Sequence, residues 1–278
     1  SKIITYMTDG YRLPDNFDSL IYLTQVQQAE SVRIAVEHWR RNREICSGAL
    51  YWQTNDCWGV ASWSSIDYEG RWKGLHYAAR RFYAPVLLSV EDEGDRMAIC
   101  VTNDLPAAWS GEVRWSLETL DGQALQSGSV ECQAAPLANT PIKRFDFSEQ
   151  MDYKSRAQTV FIAELWQNGQ SLALTACPFV KDKHLNLEDP QLEAQLERRG
   201  KQLEIYLKAD SLARYVQVWL EGADVIFSDN FFDLPVGRVM RITCAMPAGW
   251  TLRQARAALQ VRSLYDSYEH LEEFINDW

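Results

Sequence analysis

The sequence predicts a mainly β chain, with two immunoglobulin-like antiparallel β-sandwich domains preceded by a shorter, helical portion. Three observations predict it. Apolar residues recur at helical spacing only up to Pro85, after which a period of two takes over. The pairs Asp121-Gly122 and Asn168-Gly169 are hairpin turn signals between alternating stretches. A polar, charged segment ending in proline, Val180 to Pro190, separates one set of alternating stretches from the next. The resulting divisions are 1–85, 86–182 and 183–278.

Taken in order, Ser1 to Phe17 reads as irregular, with Gly10, Pro14 and Asn16 as breakers. A helix is expected from about Asp18 to Asn42, because Tyr22, Val26, Ala29, Val32, Val36 and Trp39 recur three or four apart. Asn16 or Asp18 suits its start, and Arg40, Arg41 and Arg43 suit the negative end of its dipole. Gln25, Gln27 and Gln28 are read as a solvated face of that helix. Ala49 to Trp52 has the pattern of a short buried strand. A second helix is expected from about Trp72 to Tyr83, with Trp72, Leu75, Ala79 and Phe82 as its buried stripe and Pro85 as its stop. His76 lies beside that stripe and reads as a hydrogen-bonded structural histidine.

The first sandwich rests on the alternation of Met97, Ile99 and Val101, and of Val113, Trp115 and Leu117. Val160 and Ile162 fall on one face of a further strand, and Phe161, Ala163 and Leu165 on the other. The second sandwich rests on Leu203, Ile205 and Leu207, then Val216, Val218 and Leu220, then Ile242 and Cys244, then Leu259 and Val261. Arg214, Arg238 and Arg241 are expected on solvent-facing sides of strands. Asp229, Asn230 and Asp233 read as turn formers rather than calcium ligands.

Composition narrows the function. The chain has 278 residues, enough for two or three domains, and 46% hydrophobic and 24% charged residues, as in globular proteins. A net charge of −10 without a basic stripe argues against nucleic acid, whose phosphates would repel it. No apolar run approaches the ~20 residues that cross a bilayer. The six cysteines form no CxxC pair, and they and the four histidines are scattered, so neither a metal site nor a cofactor is expected.

The chemistry concentrates between Gly48 and Pro85. Three tryptophans (Trp52, Trp58, Trp63) are interleaved there with amides and with the acids Asp56 and Asp67. Flat apolar faces beside directional polar groups suit a sugar, which has an apolar C–H face and a polar rim. The alternative is that the indoles pack beneath a helix.

The string GALYWQTNDCW, followed by SWSSIDYEGRWKGLHYAARRFYAPVLLS, closely resembles the segment that ends the catalytic barrel in β-mannosidases of glycoside hydrolase family 2. One departure is Gly59, where the family more often has proline. FSDNFFDLPVG, from Phe227 to Gly237, also looks like a feature of the last domain in these enzymes. The resemblance implies that residues 1–85 are the last helix–strand–helix portion of a (β/α)8 barrel (helix 7, strand 8 and helix 8). It implies a retaining exo-β-mannosidase acting on β-mannoside oligosaccharides. In this family both catalytic residues are glutamates at the ends of barrel strands 4 and 7, so no catalytic residue is expected in this chain, and the chain alone is expected to be inactive. Asp56 and Asp67 are then read as loop-fixing residues. Trp52 is implied to floor the subsite of the mannose being cleaved, with a cis bond between Trp52 and Gln53. Gln53, Asn55 and Trp58 are rim candidates, with loop shaping as their first role. A non-catalytic carbohydrate-binding or structural module is the alternative.

Overall fold

The structure, a computed structural model, describes residues 2–269. His270 and the end of the second sandwich's expected range lie outside the described residues. The helical portion comprises α1 (Lys2–Gly10), α2 (Phe17–Arg41) and α3 (Gly74–Phe82). α2 begins where the sequence placed it: the Asn16 side chain accepts the Ser19 N–H at 2.9 Å, satisfying one of the unpaired donors of the first turn. α1 overturns the expectation of an irregular Ser1 to Phe17. Its Met7 is fully buried, and Tyr11 just beyond it is nearly so. Both belong to the core beneath the second sandwich, so tertiary burial outweighs the breakers.

The first sandwich contains β1 (Val86–Asp92), β2 (Arg96–Asn103), β3 (Trp109–Thr119), β4 (Ala124–Ala134), β5 (Ala138–Asp146), the short helix α4 (Tyr153–Arg156), β6 (Thr159–Gln167) and β7 (Gln170–Pro178). One sheet has the order β1-β2-β5 and the other β4-β3-β6-β7, all antiparallel. Met97, Ile99, Val101, Val113, Leu117, Phe161, Ala163 and Leu165 fill the space between them. The opposite face of β6 is buried too, Val160 and Ile162 packing with Leu212 of the second sandwich. The Asn168-Gly169 turn has both residues at positive φ, 51° and 76°, the type I′ geometry that suits a two-residue hairpin.

The second sandwich contains β8 (Glu193–Arg199), β9 (Gln202–Lys208), β10 (Ala213–Leu220), β11 (Phe232–Leu234), β12 (Met240–Ala245), helix α5 (Leu252–Ala258) and β13 (Leu259–Arg262). Its sheets have the orders β12-β9-β8 and β11-β10-β13. Its core is continuous with that of the helical portion: Tyr22, Leu23, Val26 and Tyr77 join Leu203, Ile205, Val216, Phe231 and Ile242 in one cluster. The Tyr22 hydroxyl donates to the Tyr215 carbonyl at 2.8 Å. The helices therefore borrow a core they are too few to close alone.

The arginines correct another expectation. Arg214 is only 4% exposed and lies in a buried cluster with Asp182 and Asp233. Arg238, from the turn after β11, reaches the first sandwich and grips both oxygens of Glu118 at 2.7 and 2.8 Å, and Glu164 at 3.0 Å. Arg241 pairs with Glu204. Arg214 and Arg238 are thus engaged by neighbouring elements, whereas Arg241 keeps the solvent-facing position expected of it, its side chain 54% exposed. Arg40 lies in the last turn of α2, as expected, and also donates to the carbonyls of Phe82 and Ala84 and to Asp104 of the first sandwich.

Gly122 marks a close approach of the two sandwiches. It sits at φ 88°, and a Cβ there would lie 2.5 Å from Val236. Gly122→Ala is expected to lower stability by roughly 1–3 kcal/mol, from left-handed strain and overpacking together. Gly169→Ala, at φ 76° with nothing within 4 Å, should show the strain alone. Urea melts of the two variants check this, and equal losses would remove the packing contribution.

Candidate functional site

The site is built on residues 48–73, between α2 and α3. Ala49 to Trp52 keeps the alternation of a strand without forming one: Ala49 and Tyr51 pack towards the α2–α3 core, while Leu50 is 95% and Trp52 74% exposed. The expected strand is thus an extended segment, because no strand among the described residues lies beside it to complete a ladder. Tyr51 is fixed by stacking on Tyr83 at 6.3 Å and by the Tyr83 hydroxyl on the Ala49 carbonyl at 3.0 Å. The Trp52–Gln53 peptide bond is cis.

Beyond Gln53 the loop folds back on itself. Ser65 N–H donates to the Gln53 carbonyl at 3.1 Å, Ile66 N–H to Thr54 at 2.8 Å and Asp56 N–H to Ile66 at 3.1 Å, while Lys73 N–H returns to Ser65 at 2.9 Å. Residues 64–66 therefore lie between the outgoing and returning arms. The fully buried Ser65 hydroxyl joins three groups: the Tyr51 hydroxyl (2.8 Å), the Thr54 carbonyl (3.0 Å) and His76 Nδ1 (3.0 Å). His76 is the hydrogen-bonded structural histidine the sequence suggests. Burial and the nearby Arg80 lower its pKa, favouring the neutral ring.

The two acids have different tasks. Asp67 closes a turn, accepting the Arg71 backbone N–H at 2.9 Å and the Arg71 guanidinium at 2.6 Å. Asp56, whose side chain is 2% exposed, accepts from the Ser62 hydroxyl and from Lys73 Nζ at 2.9 Å. Hydrogen bonds from Ser62 and from Lys73 hold its carboxyl at about 2, so it stays ionised at neutral pH. Lys73 Nζ also donates to Ser64 Oγ at 2.7 Å. This clamp of Asp56, Ser62, Ser64 and Lys73 is a part of the site that sequence reasoning missed. The available signal was the serine-rich run between Trp63 and the lysine that follows Trp72.

α2 braces the loop from outside, which corrects the reading of its glutamines as a solvated face. Gln25 Oε1 accepts the Gly74 N–H at 2.9 Å, in place of a side-chain cap that Lys73 does not supply to α3. Gln28 Nε2 donates to the Trp63 carbonyl at 2.7 Å. Gln27 instead bonds Ser31 within the helix.

Of the residues singled out from sequence, Trp52 and Trp58 project outward, as does Trp63, so these indoles are not packing beneath a helix. Gln53 is half-buried at the root of the loop. Asn55 turns its amide onto the Asp56 carbonyl at 3.1 Å, a loop-shaping contact. Among the described residues no group of three or more His, Cys, Asp or Glu side chains is placed to hold a metal ion. No helix there is long and apolar enough to cross a membrane. Asp229, Asn230 and Asp233 are used internally: Asp229 pairs with Arg81, Asn230 bonds both backbone groups of Val218 at 2.8 Å, and Asp233 holds Arg214.

Comparison with known proteins follows the same division. A family model described as a Mannosidase Ig/CBM-like domain matches residues 95–184, and one described as an Ig-fold domain of mannosidases matches residues 187–267. The chain is 46% identical over 120 residues to a β-mannosidase of Capra hircus, covering 38% of this chain and 14% of that protein. It is 28% identical over 262 residues to β-mannosidase B of Aspergillus niger, covering 87% of this chain and 31% of that one. The chain thus spans less than a third of the length of these relatives. Among solved structures, a β-D-mannosidase from Dictyoglomus thermophilum superimposes with a TM-score of 0.86 at 24% identity, over 94% of this chain and 32% of that one.

Proposed function

We propose, for a chain that belongs to the β-mannosidases of glycoside hydrolase family 2 as their C-terminal part, that it supplies the strand-8 wall of the sugar site in a retaining exo-β-mannosidase. The parent enzyme would remove terminal, non-reducing β-D-mannose from oligosaccharides or glycoconjugates. The observation that carries this reading is the outward Trp52 indole on an extended segment whose inner side is anchored by Tyr51, Ser65 and Tyr83. Barrel enzymes place site residues at the carboxyl ends of their strands, and Trp52 ends this one. Its face suits the apolar side of the mannose ring, with Trp58 and Gln53 at the rim and Asn55 shaping the loop beneath them.

Residues 1–85 are read as the end of the catalytic barrel, 86–182 as the first sandwich and 183–278 as the second. The other barrel strands would lie along Ala49–Trp52 and cover Leu50 and the exposed Ile45. The two sandwiches then act as support, the second by sharing its core with α2 and α3.

Retaining hydrolysis needs two carboxylates ~5–5.5 Å apart, one as acid/base and one as nucleophile. The loop's own acids are committed elsewhere, Asp56 to Lys73 and Asp67 to Arg71. The 278-residue chain alone is therefore expected not to release the aglycone from an aryl β-mannoside, whereas the intact enzyme does so. Turnover by the purified chain above a no-protein control would overturn the assignment of both carboxylates to the preceding part of the barrel. An intact enzyme that cleaves β-glucosaminides in preference to β-mannosides would move the reading to a related glycosidase.

A further inference from the structure

We propose that Trp63 is a second sugar platform, taking the pyranose ring on the leaving-group side of the bond being cleaved; this rests on the reading of Trp52 above. The local order of burial is inverted at Trp63. Its indole is 61% exposed, while the small polar residues that follow it, Ser64 and Ser65, are completely buried. A loop shaped only by apolar burial would place these the other way round.

The backbone at Trp63 is pinned on three sides. Before it, the Ser62 hydroxyl donates to the Asp56 carboxylate, itself paired with Lys73. After it, Ser64 Oγ accepts from Lys73 Nζ at 2.7 Å and donates to the Ile66 carbonyl at 2.9 Å. Its own carbonyl accepts from Gln28 Nε2 at 2.7 Å. An exposed indole on a fixed mount binds a flat partner without the ordering cost of a mobile loop.

Position supplies the choice of ligand. The bond from Ser65 N–H to the Gln53 carbonyl joins the two arms of the loop, with Trp52 one residue from one end and Trp63 two residues from the other. The two exposed indoles are thus carried on adjacent, hydrogen-bonded arms of the loop, and among the described residues no ring contact joins them. An enzyme that removes one sugar at a time, with Trp52 under that sugar, has its next ring on the leaving-group side. An indole accepts the C–H face of such a ring in any linkage that presents it.

The test uses the intact enzyme with two substrates: a β-linked mannobiose, and β-mannosyl fluoride, whose leaving group has no ring. Trp63→Ala is expected to lower kcat/KM for mannobiose by roughly 5- to 20-fold, mainly through KM, and to change that for the fluoride less than about 2-fold. Trp63→Phe should recover most of the loss on mannobiose. Equal losses on both substrates, or no loss on either, would overturn the proposal. The first outcome would place Trp63 at the mannose itself, or in general packing if the melting temperature falls as well, and the second would place it away from the substrate altogether. A wild-type enzyme inactive on both substrates would instead refute the β-mannosidase reading, and this inference with it.

Discussion

Trp52→Ala in the intact enzyme is expected to lower kcat/KM for β-mannosides by roughly 30- to 1000-fold, about 2–4 kcal/mol of transition-state stabilisation, with little change in melting temperature. Two effects add. The indole face positions the mannose ring, and as that ring becomes oxocarbenium-like, the face attracts the developing positive charge by ~0.5–2 kcal/mol. A core tryptophan would behave differently, since its truncation lowers stability by about 3–5 kcal/mol whatever the substrate. Trp52 is 74% exposed and contributes nothing to the cores of this chain, so its truncation leaves the folding of this part intact. Activity and melting temperature measured on one preparation decide between them. A folded variant with near-normal kcat/KM would remove Trp52 from the site.

Features governed by local spacing were legible in the sequence. The Asn16 cap, the run of α2, the alternation of Ala49 to Trp52 and the two hairpin turns all depend on residues within a few positions of one another. What was not legible depends on partners far along the chain. α1 is helical because Met7 meets the second sandwich's core. Periodicity put Arg214 and Arg238 on outer strand faces, and it has no means of showing that another element covers those faces. The site divides in the same way. Tryptophans among amides marked the loop, but the Asp56–Lys73 clamp joins residues 17 apart, and the bond from Gln28 to Trp63 spans 35. Neither spacing matches a helical or strand period, so periodicity does not mark them, and the serines beside Trp63 are the one local sign of the clamp.

Among single substitutions, Arg214→Met is expected to be one of the most destabilising, by about 3–5 kcal/mol, because it leaves buried carboxylates without their counter-charge. The guanidinium joins three parts of the molecule. Nε donates to Asp182, in the turn between the sandwiches, at 3.1 Å. Nη1 donates to the Ala176 carbonyl of β7 at 3.2 Å and to Asp233 of β11, and Nη2 to the Tyr215 hydroxyl at 2.6 Å. That hydroxyl in turn donates to Asp182 at 2.9 Å, closing the network. A lysine offers one point charge in place of this fork, so Arg214→Lys should recover only a small part of the loss. Replacing the network together, as Arg214→Met with Asp182→Asn and Asp233→Asn, should recover much more, since removing every buried charge costs less than leaving carboxylates unpaired. The pH dependence supplies an independent check. Burial pushes the Asp233 carboxyl up from its ordinary value, against the pull of Arg214. A carboxyl whose folded pKa is raised favours folding while protonated, and that advantage is lost as pH rises through the folded pKa. Without Arg214 the upward shift grows, so the single variant should lose stability from about pH 4 towards pH 7, more steeply than wild type. Urea melts across that range measure it. A flat profile for Arg214→Met, with a loss under about 1 kcal/mol, would show that the cluster is open to water and carries little of the junction's stability.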